Sequence, residues 1–296
     1  MNPLLYTLAY ANSQKRLLTL EEIHRYQIGV SNYDLSEIAS ELAKIPQIKA
    51  HQGLYGLVDD FDQLLVLRQE KGRESIRRYR RVLKYARLLI SIPYIKGIFL
   101  AGSSSFSTGN AKKSSDIDIF IVTDPNRMWF ARFWLTIITQ ILGIRRSGEL
   151  EENRFCLNHY ITANNLERLD HTLYASQLYS DYIAIGQASQ ELLKQFWQAN
   201  PWRQDYFSQA SPREYPTLSQ LHPYRIKYWL EWFFNHFSID IWDKLAKSIQ
   251  SQKIKSNSIQ SNAHNRIQID DTELEFHPEP NSIKAEKIIQ NILQNL

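Results

Sequence analysis

Two short apolar segments constrain what this chain can become. The first is Ile95-Lys96-Gly97-Ile98-Phe99-Leu100-Ala101, closed by Gly102-Ser103, and the second is Asp116-Ile117-Asp118-Ile119-Phe120-Ile121-Val122-Thr123. Read as strands, they place residues two apart on one face. Asp116 and Asp118 then present paired carboxylates while Ile117, Ile119 and Ile121 enter a core. Two like charges a few ångströms apart repel unless something positive lies between them. A divalent cation meets that need, and two carboxylates with phosphate oxygens suit magnesium. A Gly-Ser turn at the end of the neighbouring strand lets backbone N–H groups approach a phosphate on the same metal.

The spacing of Gly102-Ser103 and Asp116-Ile117-Asp118, with the small polar pair Ser114-Ser115 just before the acids, resembles the signature of the DNA polymerase β-like nucleotidyltransferases. In that family Gly-Gly or Gly-Ser precedes Asp-x-Asp or Asp-x-Glu by a gap of similar length. The resemblance implies an α/β (α+β) fold, a mixed sheet with flanking helices. It implies transfer of a nucleoside monophosphate from an NTP, ATP by default, bound through Mg2+ or Mn2+. The acceptor is unidentified, a nucleic acid or a protein being the candidates. Gly102, Ser103, Ser104, Lys112 and Ser115 would contact the nucleotide, and Asp116 and Asp118 the metal. A Walker-type loop is excluded: Gly102 and Gly109 stand too far apart, and Asn110 occupies the place of the required Lys.

The same resemblance implies a third acid on a later strand. Residues 154–162 read as that strand, with Phe155, Leu157 and Ile161 on one face and Cys156, Asn158 and Tyr160 on the other. Asn158, with His159 beside it, stands where the acid is expected. Three readings stay open. The acid comes from Glu149, Glu151 or Glu152; or Asn158 serves in a site dominated by one metal; or the domain binds nucleotide without turning it over. The arginine that many family members place after Gly-Ser is replaced by Ser104-Ser105-Phe106, leaving Lys112 and Lys113 as the loop's cations.

The flanks are read from pattern alone. Residues 1–90 form a module with helices over Leu20–Ile28 and Asp34–Ile45, then strands at Ile48–Ala50, Leu54–Leu57 and Leu64–Leu67, an arrangement like a winged helix. Asp34, Glu37 and Glu41 make the second helix acidic, which disfavours duplex DNA. Residues 68–90 form a basic connecting helix with an apolar stripe of Ile76, Tyr79, Val82-Leu83, Ala86 and Leu89-Ile90. Its cations Arg73, Arg77, Arg78, Arg80, Arg81, Lys84 and Arg87 read either as a solvated face or as holders of a polyanion. The core is expected over 91–165, with a buried helix Met128–Leu142 stopped by Gly143. A helical domain follows over 166–247, a flexible linker over 248–270 and a C-terminal helix within 271–296.

Composition limits the remaining classes. Across 296 residues, 43% hydrophobic and 12% aromatic content supports real cores. The single cysteine, Cys156, excludes a disulfide framework, and its place in a strand reads as an inert buried thiol. The net charge of +4 permits a nucleic-acid or nucleotide partner without requiring one. No signal peptide or membrane span is read, and a cytoplasmic location is the simplest expectation.

Overall fold

A computed structural model describes residues 2–29, 33–58, 61–102, 115–147, 150–213, 215–258, 266–277 and 291. It begins with α1 (Pro3–Ser13), α2 (Leu20–Arg25) and α3 (Leu35–Leu42), followed by β1 (Ile48–His51), β2 (Leu54–Leu57) and the long α4 (Phe61–Ile90). Then come β3 (Ile95–Leu100), β4 (Ile117–Thr123), α5 (Met128–Ile141), β5 (Phe155–Thr162), α6 (Leu173–Ser180), β6 (Ile183–Ile185) and α7 (Gln187–Ala199). The described chain continues through α8 (Pro216–Ser219), α9 (Ile226–His236), α10 (Ile239–Ser258), β7 (Arg266–Ile269) and β8 (Glu273–His277). The chain is a mixed α/β protein.

Six strands make one mixed sheet in the order β6-β3-β4-β5-β8-β7, in which only β4 and β5 run parallel. Ile117, Ile119 and Ile121 enter one layer of core as expected, beneath Val82, Ala86 and Leu89 of α4, Met128 to Ala131 of α5, and Ile239 and Ala246 of α10. The other face carries Phe99, Phe120, Val122 and Ile161 beneath Tyr179 of α6 and Leu193 and Phe196 of α7. Gly97 lets Leu192 approach closely: a Cβ there would lie 2.7 Å from a Leu192 methyl, which would have to shift.

The strand 155–162 departs from strict alternation. Asp118 pairs with Cys156, but Phe120 pairs with His159, so β5 carries one extra residue between them. The bulge reverses the faces beyond it. Tyr160 joins Phe155 and Leu157 in one layer, while Ile161 joins Phe120 in the other, which corrects the expected placement of both.

At the N-terminus, Asn2 caps α1 through bonds to the N–H groups of Leu4 (2.9 Å) and Leu5 (3.3 Å), and Pro3 sits at its first turn. Asp34 caps α3, its side chain accepting from the N–H groups of Ser36 and Glu37. Leu4, Leu8, Ile23, Ile38, Leu42 and Leu57 form the core of this part. It packs on α6 through Tyr10 Oη, which donates to Gln177 Oε1 (2.7 Å), and Arg25 Nη2, which donates to the Ser180 carbonyl (2.8 Å).

Leu64–Leu67 is helix, not strand. Phe61, Leu64, Lys71, Ser75, Arg78, Val82, Ala86 and Leu89 follow each other at helical steps along one buried stripe, and that stripe absorbs the run. Ile76, expected in the stripe, is 57% exposed, whereas Arg78, read with the other cations as part of a solvated face or as a polyanion holder, is fully buried. The 166–247 region is not purely helical, since Ile183–Ile185 pairs with β3 as an edge strand. The expected linker 248–270 is instead the end of α10 up to Ser258 and, from Arg266, strand β7. Strand β7 pairs with β8 in a local hairpin, and β8 pairs with β5, a long-range contact that composition cannot reveal. The helix expected over 282–295 lies outside the described residues except for Asn291.

Candidate functional site

The C-terminal end of β3 and the start of β4 meet at one end of the sheet. The N–H of Ala101 donates to the Asp118 carbonyl (3.1 Å), and the chain turns at Gly102 with φ +56°. A Cβ on Gly102 would sit 3.3 Å from Asp118 Oδ2, so a side chain here would be strained in backbone and would crowd the carboxylate. Ser103, Ser104, Lys112 and Lys113 lie outside the described residues, as does Glu149.

Asp116 and Asp118 lie together, and the group completing their cluster is Cys156. Oxygens of both aspartates and the Cys156 sulfur lie within 4.8 Å of one another. Asn158 lies two residues farther along β5, at the bulge, past the Asp118–Cys156 pair. Cys156 is buried as expected, but it borders the acids. Burial and the charges of Asp118 and Asp116 push its thiol well above the usual range.

Two arginines hold this cluster, Arg146 and Arg78. Arg146 Nη1 donates to Asp116 Oδ2 (2.7 Å), and Arg146 Nη2 donates to Glu151. Arg146 is placed by the strip 144–147 running beside β5, where its N–H donates to the Phe155 carbonyl (3.0 Å). Arg78 Nη1 donates to the Asp116 carbonyl (3.0 Å), and Nη2 to the Ser115 carbonyl and hydroxyl (both 2.7 Å). Ser115 therefore stands at the site but engages Arg78. Glu151 reaches the site only through Arg146, while Glu152 pairs with Arg77 at 3.1 Å. No sequence signal marked Arg146. For Cys156 a signal existed, because parallel pairing of the two strands places it opposite Asp118.

Burial, and then the adjacent Asp116 charge, push the Asp118 carboxyl from its ordinary 3.8 up to about 7, against the pull of Arg146 and Arg78. A carboxyl raised in the folded state costs stability as pH climbs from its unfolded value through its folded one. Asp118→Asn removes that cost while keeping the shape. Thermal unfolding in chelator should show the variant close to wild type at pH 4 and several degrees more stable at pH 8. A variant less stable than wild type at pH 8 would contradict this electrostatic account.

Two carboxylates fit a hard divalent cation such as Mg2+ or Mn2+, and only a deprotonated Cys156 would shift the preference towards a softer ion such as Zn2+. Arg146 holds Asp116 where such an ion would compete. A second set, His159, Glu273 and Glu275, also has its ligand atoms within 4.8 Å. Within it, Arg168 Nη1 already donates to Glu273 Oε1 (2.6 Å). No helix among the described residues is long and apolar enough to cross a membrane. Comparison with protein-family models, curated proteins and solved structures finds nothing that matches this chain.

Proposed function

We propose that this protein is a nucleotidyltransferase that moves a nucleoside monophosphate from a metal-bound NTP to an acceptor. The observation that carries the reading is the glycine turn at Gly102 set directly against Asp118, with Asp116 on the same strand face. Asp116 and Asp118 would hold the cation, and the backbone at Gly102 would face the triphosphate. Bound there, a divalent ion would neutralise the triphosphate and its pyrophosphate leaving group. Arg146, released from Asp116 by the cation, would remain beside the phosphates as a fixed positive charge.

The described residues place a thiol, not a third carboxylate, beside the two aspartates. This favours a second reading in which the site binds nucleotide without transferring it and regulates a partner. The N-terminal order α1, a bridge from Leu18 to Tyr55, α2, α3 and the β1–β2 hairpin supports a winged-helix-like docking unit. The acidic face of α3 suits a protein partner better than duplex DNA.

Equilibrium binding of ATP and the other NTPs, with Mg2+, Mn2+ or chelator, tests the site. Wild type should bind with metal and lose at least tenfold in affinity without it, whereas Asp116→Ala/Asp118→Ala should show no metal dependence. Equal metal-dependent binding in both would remove these residues from the site. Release of pyrophosphate from labelled NTP separates enzyme from regulator.

A further inference from the structure

The face of α4 next to Asp116 carries a row of cations. Arg77, Arg80, Arg81 and Lys84 recur at three- and four-residue steps, spanning about 10 Å of helix. Together with Tyr85 and Asn153 they line one open cavity. Only Arg77 meets carboxylates, Glu74 at 3.6 Å and Glu152 at 3.1 Å. Among the described residues Arg80, Arg81 and Lys84 have no carboxylate partner. Four positive charges crowded on one helix face repel one another, so the row is destabilising unless an anion lies across it.

A second observation points to a ligand. Asn153 is 4% exposed, yet neither its Oδ1 nor its Nδ2 has a hydrogen-bond partner, and Arg81 Nε is likewise buried and unbonded. Buried polar groups are normally satisfied, and here two residues lining the same cavity are not. Asn153 also has φ +56°, and its N–H donates to the Ser115 carbonyl (3.2 Å), one residue from Asp116. The cavity therefore adjoins the paired acids. Tyr85 adds an aromatic ring, with the Lys84 ammonium 5.3 Å and the Arg81 guanidinium 5.9 Å from its centre.

We propose that this cavity seats the phosphates of a single-stranded nucleic acid, and, resting on the transferase reading above, that this strand is the acceptor. A row of cations longer than one phosphate, beside an aromatic ring, is the chemistry that grips successive backbone phosphates and stacks a base. The Asn153 amide and Arg81 Nε supply bonds to the phosphate or base nearest the acids. The rival source of the same anionic chemistry is the triphosphate of the NTP itself.

Fluorescence anisotropy with short labelled RNA and DNA single strands, over a salt series, tests the proposal. Arg80→Gln/Lys84→Gln alters two exposed side chains without carboxylate partners and leaves the fold intact. The double variant should lose about tenfold or more in affinity, and its salt dependence should flatten by about 1.4 in log–log slope, about 0.7 per lost phosphate contact. Asn153→Leu should weaken binding at unchanged slope. Asp116→Ala/Asp118→Ala should still bind the strand, so failure of the metal site and failure of this seat read out separately. Wild type that ignores both strands at 100 mM salt, or a double variant that binds them as wild type does, overturns the proposal. So does a double variant that loses NTP and keeps the strand.

Discussion

Arg78→Ala should lower stability by about 3–5 kcal/mol, which is about 5–8 °C in melting temperature for a chain of this size. The side chain is fully buried and lies in the middle of α4. Its guanidinium supplies the donors for the carbonyls of Ser115 and Asp116 and for the Ser115 hydroxyl. The Ser115 carbonyl keeps the Asn153 N–H, but the Asp116 carbonyl and the Ser115 hydroxyl lose this donor. An acceptor left buried without a partner costs about 1–3 kcal/mol, and the vacated volume adds a cavity term. Those carbonyls lie at the entry to β4, so the loss also unfixes the backbone that aims Asp116 and Asp118. Metal-dependent nucleotide binding should therefore fall in the variant at temperatures where it is still folded. Arg78→Lys keeps a charge but not the forked geometry, and should recover part of the stability and less of the binding. An Arg78→Ala protein melting within 2 °C of wild type would show that the interaction anchors nothing.

Glu273→Ala should be of similar size, about 3–5 kcal/mol, because it strands a buried arginine. The side chains of Glu273 and Arg168 are each only 6% exposed, and they meet at 2.6 Å. His159 Nε2 lies 2.9 Å from the same carboxylate oxygen. Burial alone would raise the Glu273 pKa. The His159 bond and the Arg168 charge outweigh it, and the carboxyl is held below its ordinary 4.5. A depressed carboxyl contributes stability that is full above its unfolded value and is lost as pH falls through its folded value. Wild type should thus lose stability below about pH 4.5, and Glu273→Ala should lack that part of the acid transition. Equilibrium urea unfolding from pH 7 to pH 3 measures both effects. A companion Glu273→Leu/Arg168→Met protein, with the charge removed from both sides, should regain most of the loss. If it is as unstable as Glu273→Ala, the cost lies in packing rather than in the stranded charge.

The paired aspartates were readable because a strand repeats every two residues, and nothing between Asp116 and Thr123 breaks that period. On β5 the same rule failed after Leu157, since one extra residue costs nothing in composition yet exchanges every face beyond it. Arg78 was opaque for another reason. A helical stripe interrupted by Lys71, Ser75 and Arg78 looks solvated until the carbonyls of Lys15, Ser115 and Asp116, far off in sequence, are brought to it. Strands β7 and β8 carry too few apolar residues to announce themselves; they pair with each other, and β8 joins the sheet through β5. Cys156 was read correctly as buried, but its place beside the acids was missed, because its neighbours are set by register and not by adjacency.

The order of strands across the sheet also sets a timetable for synthesis. The three middle strands, β3, β4 and β5, emerge first, and both flanks of that trio stay open until later chain arrives. One flank is closed by Ile183–Ile185 soon afterwards, but the other waits for Glu273–His277, more than a hundred residues behind Thr162. During that interval the nascent protein exposes hydrogen-bonding backbone along β5 to any neighbouring chain. The ribosome-bound form is thus the stage at which this fold is most open to mispairing.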